Sequence, residues 1–555
     1  MPLSARFTVF IRVALLPLAL VAATVAGLGS YFEASDDLLL AWLFSGVIAL
    51  RPVPSVPLYF HGFGHALAAA YTAVPTVPWF GLLLGGGLLL ATVLTFAVLD
   101  KMLRPRWRAG GVALALVVFF GLAWVEHWLW FSYVRVALLL AGAAVLFAAQ
   151  RPGSRKALAV GFVGLLAAWC MRPSLAVMGL AVALPAAVWL AGSWRQARAT
   201  LAGSVAVLVL ATLLAAAVQT PNEAHTQARD RYFARILDFD QLRPQPRTPA
   251  DSLGTAALSL WLMGDVTVVN EEMCQRAYQF DVRDFLAREV PAKLYLRAGL
   301  LLRDYFPLLL ALAATAVAAG RRPGFAGAFW LVQAAFAGML VFLAGWLKLP
   351  PRLELPILDF WLLANGAFLL KPTESSARRA MPAFVWPAFA LAGAVAGLLY
   401  GAKTWHRHQV LSQERRQHES GLRYIQARSG GAVRILAGTN DLLKSLSPFR
   451  GYSLGPGPVL LLTGWSSHDA SQARLRQALT GTTDQTECLR RLARRPTFGV
   501  SPQALWVLSP ETAHWLSRRF GLDGPRLLLY PEAAAIPCGP DSWVRVYHFQ
   551  RPNNP

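Results

Sequence analysis

Charge is scarce in this 555-residue chain: only 15% of its residues are Asp, Glu, Lys or Arg, against roughly a quarter in an average soluble protein. Apolar residues make up 55%, and the mean hydropathy is +0.44. A soluble chain of this size would expose far too much apolar surface, which excludes an ordinary cytosolic enzyme. Disorder, collagen and coiled coil are excluded too, because the apolar fraction is too high and no short period appears. Cysteine is rare: Cys170, Cys274, Cys488 and Cys538 form no CxxC pair, which argues against a zinc ribbon or dithiol redox centre. Nucleotide signatures are missing as well. There is no GxxxxGK[ST] and no GxGxxG in a strand-to-helix context, so neither ATP hydrolysis nor a cytoplasmic nucleotide-sugar donor is supported.

What is present is a series of long apolar runs. A bilayer core needs about 20 apolar residues per helix, and eleven candidate spans fit: 8–29, 79–99, 109–126, 132–149, 156–171, 174–194, 199–219, 304–320, 325–346, 352–371 and 381–402. The fifth and sixth meet at Met171-Arg172-Pro173, where a tight turn is expected because proline disfavours helix at the residue before it. Arg6 and Arg12 precede the first run without a clear small-x-small cleavage site after it, so it reads as an uncleaved signal anchor.

The net charge of +22 would suggest nucleic acid in a soluble protein; here its placement marks sidedness. Lys101, Arg104, Arg106 and Arg108, then Arg151, Arg155 and Lys156, then Arg195 and Arg198, then Arg321 and Arg322, then Lys371, Arg378 and Arg379 occupy five connections. All five fall on one side of an eleven-span topology. The opposite short connections hold only Arg172, Lys348 and Arg352. Cytoplasmic loops collect Lys and Arg, so the N-terminus is expected inside and the C-terminus outside.

The expected fold is therefore an α-helical polytopic membrane protein of about eleven spans, with a small extracytoplasmic α/β domain at the C-terminus. Residues 1–402 form the membrane domain, with outer segments 30–78 and 220–303. Residues 403–555 form the soluble domain, which carries 20 Lys and Arg against 10 Asp and Glu. In it, 432–438, 458–463, 526–530 and 543–549 read as strands, and 473–479 and 487–495 as helices. Cys488 and Cys538 would face an oxidising compartment, and a disulfide between them is expected.

Candidate chemistry begins where the first span leaves the membrane, at Tyr31-Phe32-Glu33-Ala34-Ser35-Asp36-Asp37. A carboxylate beside a bilayer is costly unless hydrated or paired, and two adjacent ones can divide the work of base and orienting group. The bland alternative is a helix N-cap assisted by Ser35. The stretch after it, with His61, Phe63, His65 and Leu67 and broken by Pro52, Pro54, Pro57, Pro75 and Pro78, reads as helices along the interface. His61 and His65 stand at i, i+4, a spacing that can share a metal; without the Glu of HExxH they read more readily as interfacial histidines. In the second outer segment, His225, Arg229, Asp230, Arg231, Tyr232, Arg235, Asp238 and Asp240 read as a solvated helix with local ion pairs. Trp261-Leu262-Met263-Gly264-Asp265 joins an aromatic face to an acid. Within the spans, Gly85-Gly86-Gly87 reads as a helix-packing device, and Arg135 and Asp359 are the buried charges.

One span, an Asp-Asp pair in the first outer loop, interfacial helices and then many spans: in this order the chain resembles the GT-C superfamily of membrane glycosyltransferases. The nearer resemblance is to little-characterised bacterial multispan proteins of that type. It rests on Ser35-Asp36-Asp37, on Ala70-Tyr71-Thr72-Ala73-Val74-Pro75-Thr76-Val77-Pro78-Trp79, on Arg172-Pro173 and on Trp261–Asp265, and it covers about the first 400 residues. It implies transfer of a sugar from a polyprenyl-phosphate-linked donor to a glycan, lipid or protein acceptor at the outer face of a bacterial inner membrane. Asp36 or Asp37 would be base or metal ligand, with the choice open. The cofactor is unknown: a divalent metal is compatible with the resemblance, and the sequence requires none. A lipid phosphate leaving group needs cations, and Arg suits phosphate best, so Arg172, Lys348 and Arg352 are phosphate candidates. His61, His65, Trp261 and Asp265 complete the substrate-binding candidates. The partners implied are the bilayer, the donor and the acceptor; no nucleic acid is among them. Two competing readings stand beside this one: an O-antigen polymerase or ligase, which would lean on His225 and Arg231, and a transporter, for which no internal repeat is evident.

Overall fold

The computed structural model describes residues 3–56, 62–321, 327–371, 385–494, 504–522, 527–539 and 542–550. They are mostly helical. Seven helices are long and apolar enough to cross a membrane: α1 (Arg6–Gly27), α4 (Trp79–Leu103), α5 (Ala109–Leu129), α8 (Pro173–Ala191), α9 (Trp194–Val218), α13 (Val282–Gly320) and α14 (Gly327–Trp346). The helices α2 (Ser35–Ser45) and α3 (Gly64–Ala73) lie between the first two. Three more candidate spans correspond to α6 (Tyr133–Ala149), α7 (Arg155–Met171) and α15 (Pro351–Leu369). The first two have 17 residues each, or roughly 26 Å at 1.5 Å per residue, and α15 carries Arg352, Glu354 and Asp359.

α6 is the centre of the bundle. Nearly all of its residues are buried, and α4, α7 and α8 pack on it. Small residues set the spacing: a Cβ on Gly164 or Gly179 would lie under 3.0 Å from Ala144 or Ala141. Gly87 likewise faces Val136 and Met171, as expected of a packing device. The peripheral helices keep large apolar side chains outward, with Val218 81% and Leu331 72% exposed, a pattern that in water would be an aggregation surface. At the α7–α8 turn Arg172 is the single extended residue before Pro173, matching the turn read from the sequence.

The second outer segment is built from capped helices. In α10 (Pro221–Leu237), Thr220 and Glu223 form a capping box, and in α11 (Pro249–Ser259) Thr248 and Asp251 do the same. A short helix, α12 (Glu271–Ala277), follows, and a two-residue antiparallel pair, β3 (Arg243–Pro244) with β4 (Tyr278–Gln279), brackets α11 and α12. The segment's last helix, α13, runs on past residue 303 into the expected eighth span, with a break in helical dihedrals at Tyr305 just before Pro307.

One helix, α16 (Val385–Ser429), passes through residues 402 and 403 into the C-terminal domain. That domain is a five-stranded sheet in the order β6 (Val459–Leu461), β5 (Val433–Ala437), β7 (Ala504–Leu508), β9 (Trp543–Gln550), β8 (Leu528–Pro537). β5 is parallel to β6 and β7, while β9 is antiparallel to both β7 and β8. The helices α17 (Ala470–Thr480) and α18 (Gln485–Arg494) follow the second strand, and α19 (Pro510–Phe520) follows the third. Four strands and two helices match the segments expected from the sequence; β7 and α19 were not foreseen.

The disulfide expectation is overturned. Cys488 and Cys538 are both free and buried. Cys488 sits on α18 beside Thr480 and Arg476, whereas Cys538 follows β8 against Leu442 and Val544, its Sγ donating to the Ile536 carbonyl at 3.5 Å. Each thiol is enclosed by its own neighbours, and burial pushes both above the usual thiol range, Cys538 to about 12.

Candidate functional site

The first outer segment is pinned into the bundle by a two-residue strand. β1 (Tyr31–Phe32) pairs in parallel with β2 (Trp130–Phe131) between α5 and α6. The C-terminal domain completes the edge: Phe32 N–H donates to Leu446 O at 2.8 Å, and Ser445 N–H donates to Phe32 O at 3.0 Å. Glu33 N–H then donates to Phe131 O at 2.8 Å. The chain thus enters α2 with Glu33, Asp36 and Asp37 held against the N-terminus of α6.

Neither aspartate caps its own helix. The N-cap of α2 is Ala34, without a side-chain bond, and Asp36 and Asp37 lie in the first turn. Asp37 is fully buried, and its Oδ1 accepts from the Tyr133 N–H at 2.8 Å. It therefore satisfies an orphan donor at the start of α6. Burial pushes its carboxyl up to about 8, against the pull of the Tyr133 N–H and of Arg352. Its Oδ2 is buried with no hydrogen-bond partner.

Asp36 is different. It keeps partial solvent access, and among the described residues no hydrogen bond reaches its carboxylate. The charges that act on it are Arg352, Asp238, Arg172 and Lys348. Its dense surroundings raise the carboxyl, and the three cations pull the other way. Arg172 hydrogen-bonds the Tyr133 hydroxyl and stands 5.6 Å from the centroid of that ring. Lys348 pairs with Asp238 at 2.9 Å. The cations read from two outer connections thus act together on one carboxylate.

Behind them runs a buried polar chain. Glu33 Oε1 accepts from the Arg352 backbone N–H at 3.1 Å, and its Oε2 pairs with Arg135 at 2.8 Å. Arg135 Nη1 meets His127 Nδ1 at 3.1 Å, and His127 Nε2 meets Asp359 Oδ2 at 2.7 Å. Arg135, His127 and Asp359 are fully buried. The two intramembrane charges noted in the sequence are therefore joined through His127, which no sequence signal marked, and Glu33, whose neighbours drew the attention, ties Arg135 on to the Arg352 backbone.

Other candidates fall elsewhere. His65 is exposed on α3 and touches none of these groups; His61 lies outside the described residues. Tyr71 and Trp79 form a local clasp between α3 and α4: the Tyr71 hydroxyl accepts from Phe80 N–H at 3.1 Å, and Trp79 Nε1 donates to Val74 O at 3.0 Å. Asp265 is a tie and is not open to a substrate. It is 2% exposed, accepts from Thr267 N–H at 3.1 Å and Thr267 Oγ1 at 2.6 Å, and binds Thr486 and Arg519 of the C-terminal domain. Its buried acceptor oxygens find donors in the domain the sequence reading kept separate. Trp261 likewise meets Trp465 edge to face at 6.1 Å, and its carbonyl accepts from Gly464 N–H at 2.9 Å. His225 and Arg231 face solvent. Among the described residues no three His, Cys, Asp or Glu side chains converge to hold a metal.

No protein-family model, no curated protein and no solved structure matches this chain.

Proposed function

We propose that this protein is an inverting membrane glycosyltransferase that moves a sugar from a polyprenyl-phosphate carrier to an extracytoplasmic acceptor. It would span the bacterial inner membrane eleven times with its N-terminus inside. The observation that carries the reading is one partly accessible carboxylate, Asp36, under the combined influence of Arg172, Arg352 and Lys348. A sugar hydroxyl is a poor nucleophile, and removal of its proton during attack lowers the barrier. Asp36 takes that role because it is the reachable member of the pair, and its raised pKa makes it a stronger base than an ordinary carboxylate. The leaving lipid phosphate carries negative charge, which Arg172 and Arg352 can hold bidentately while Lys348 adds a point charge. Asp37 and Glu33 do not touch substrate; they fix α2 against α6 and α15.

The test is transfer from radiolabelled polyprenyl-phosphate sugars by the purified chain in lipid. Asp36→Asn is expected to lose at least about 10²-fold in rate, in line with general-base contributions, with the melting temperature unchanged. Asp37→Asn keeps the acceptor oxygen for Tyr133 and is expected to lose far less. Full activity in Asp36→Asn would remove this assignment. The solvent-facing positions of His225 and Arg231 give the polymerase or ligase reading no comparable cluster.

A further inference from the structure

A cavity of about 560 Å³ opens in the second outer segment, lined by Asp240, Ser252, Ser259, Trp261 and Tyr278 among others. Two of those residues, Asp240 at φ +46° and Trp261 at φ +60°, are among only three described non-glycine residues with positive φ. Such backbone is disfavoured for side chains with a Cβ and persists where the surroundings enforce it, often at ligand sites. The surroundings here are explicit. Trp261 is held by the Gly464 N–H and by Trp465 of the C-terminal domain. Residue 240 is held by Gln241 N–H donating to Arg235 O at 2.8 Å and by Lys293 Nζ donating to Phe239 O at 2.5 Å.

The lining has a definite chemistry. Trp261 and Tyr278 supply aromatic faces, and Ser252 and Ser259 on α11 supply hydroxyls. Its charges are already balanced: Arg243 pairs with Glu289 and Asp284, and Asp240 lies 3.9 Å from Lys293. A cavity with aromatic walls, hydroxyls and no uncompensated charge suits a neutral, hydroxyl-rich ligand whose C–H faces stack on rings while its hydroxyls bond to Ser and Asp.

The position is as telling as the lining. The turn after α10 faces two ways: Asp238 pairs with Lys348 at the Asp36 centre, and Asp240, two residues on, lines the cavity. We infer that this cavity is a glycan-binding subsite that holds the acceptor beside the Asp36 centre. The inference deepens the transferase reading by naming a glycan as the acceptor class, and in that respect rests on it.

The experiment separates the two. The full chain in nanodiscs, fluorescently labelled, is applied to a broad array of immobilised microbial glycans with no donor present. Wild type is expected to bind a defined set of glycans, and Arg231→Ala, at a solvent-facing position, to bind them equally. Ser252→Trp, which fills the cavity from an exposed serine, and Asp240→Asn are expected to bind at least tenfold more weakly with unchanged melting temperatures. Trp261→Ala also tests the stacking face, but it loosens the contact with Trp465, so Ser252→Trp decides. No glycan bound by wild type, or equal binding by Ser252→Trp, overturns the subsite. If binding follows the expectation but Asp36→Asn retains full transfer, the transferase assignment falls and the subsite stands.

Discussion

Asp36 and Asp37 are neighbours in sequence with opposite situations. Asp37 is sealed against α6, and its carboxyl is pushed up to about 8. Unfolded, the same group ionises near pH 4. Between those two values the folded chain binds a proton that the unfolded chain does not, so each unit rise in pH lowers stability. Asp37→Asn, neutral at every pH and still able to accept from Tyr133, is expected to flatten the fall in melting temperature between about pH 5 and 8. An unchanged slope would show that Asp37 is ionised throughout. The cysteines give a second residue-level expectation. Cys488 and Cys538 are separate thiols, so alkylation of denatured, unreduced protein should label both, as read by peptide mass spectrometry. The sequence suggested their compartment but not their distance, because pairing depends on which strands and helices come together.

Among the elements, α6 organises the bundle, and Arg135 is its most consequential side chain. It sits fully buried between Glu33 and His127. Removing one partner of a buried pair leaves the other uncompensated and costs about 3–5 kcal/mol. Arg135→Leu is therefore expected to destabilise strongly in detergent unfolding, while Glu33→Gln with Arg135→Leu recovers part of the loss. Additive effects of the two changes would deny the coupling. Element boundaries were largely legible from apolar runs, Pro173 and the caps at Thr220 and Thr248. The Glu33–Arg135–His127–Asp359 chain was not, since its members are spread over three helices and the connection before α2, and no local pattern links them. β7 and α19 escaped for a related reason: the sheet neighbours that make Ala504–Leu508 a strand, and the strands on which α19 packs, are remote in sequence.

At the scale of the molecule, the C-terminal domain grips both outer segments. It completes the edge of β1, Trp42 Nε1 donates to Tyr452 O at 2.8 Å, Gln472 Nε2 donates to Ile48 O at 2.6 Å, and His468 Nε2 meets Asp230 at 2.8 Å. A Cβ on Gly81, at the start of α4, would collide with Pro448 O. This domain and the outer segments must therefore share one side of any membrane. With the native cysteines replaced by serine, a single cysteine at Arg104 is expected to react with an impermeant maleimide only from the cytoplasm, and one at Ser412 only from outside. Labelling of both from the same side would refute the eleven-span topology.

The sequence alone determined the class of molecule: long apolar runs demand a non-aqueous environment whatever their packing, and the tail's alternating strand and helix patterns are local. It also singled out Asp36, Asp37, Arg172, Lys348 and Arg352, because charge is scarce enough here for each outer-loop charge to stand out. Tertiary structure decided which of them meet, which aspartate is reachable, and that Asp265 is a tie to the C-terminal domain. Those outcomes depend on contacts between residues up to hundreds of positions apart, and burial, which sets both access and acidity, exists only once the chain has closed on itself.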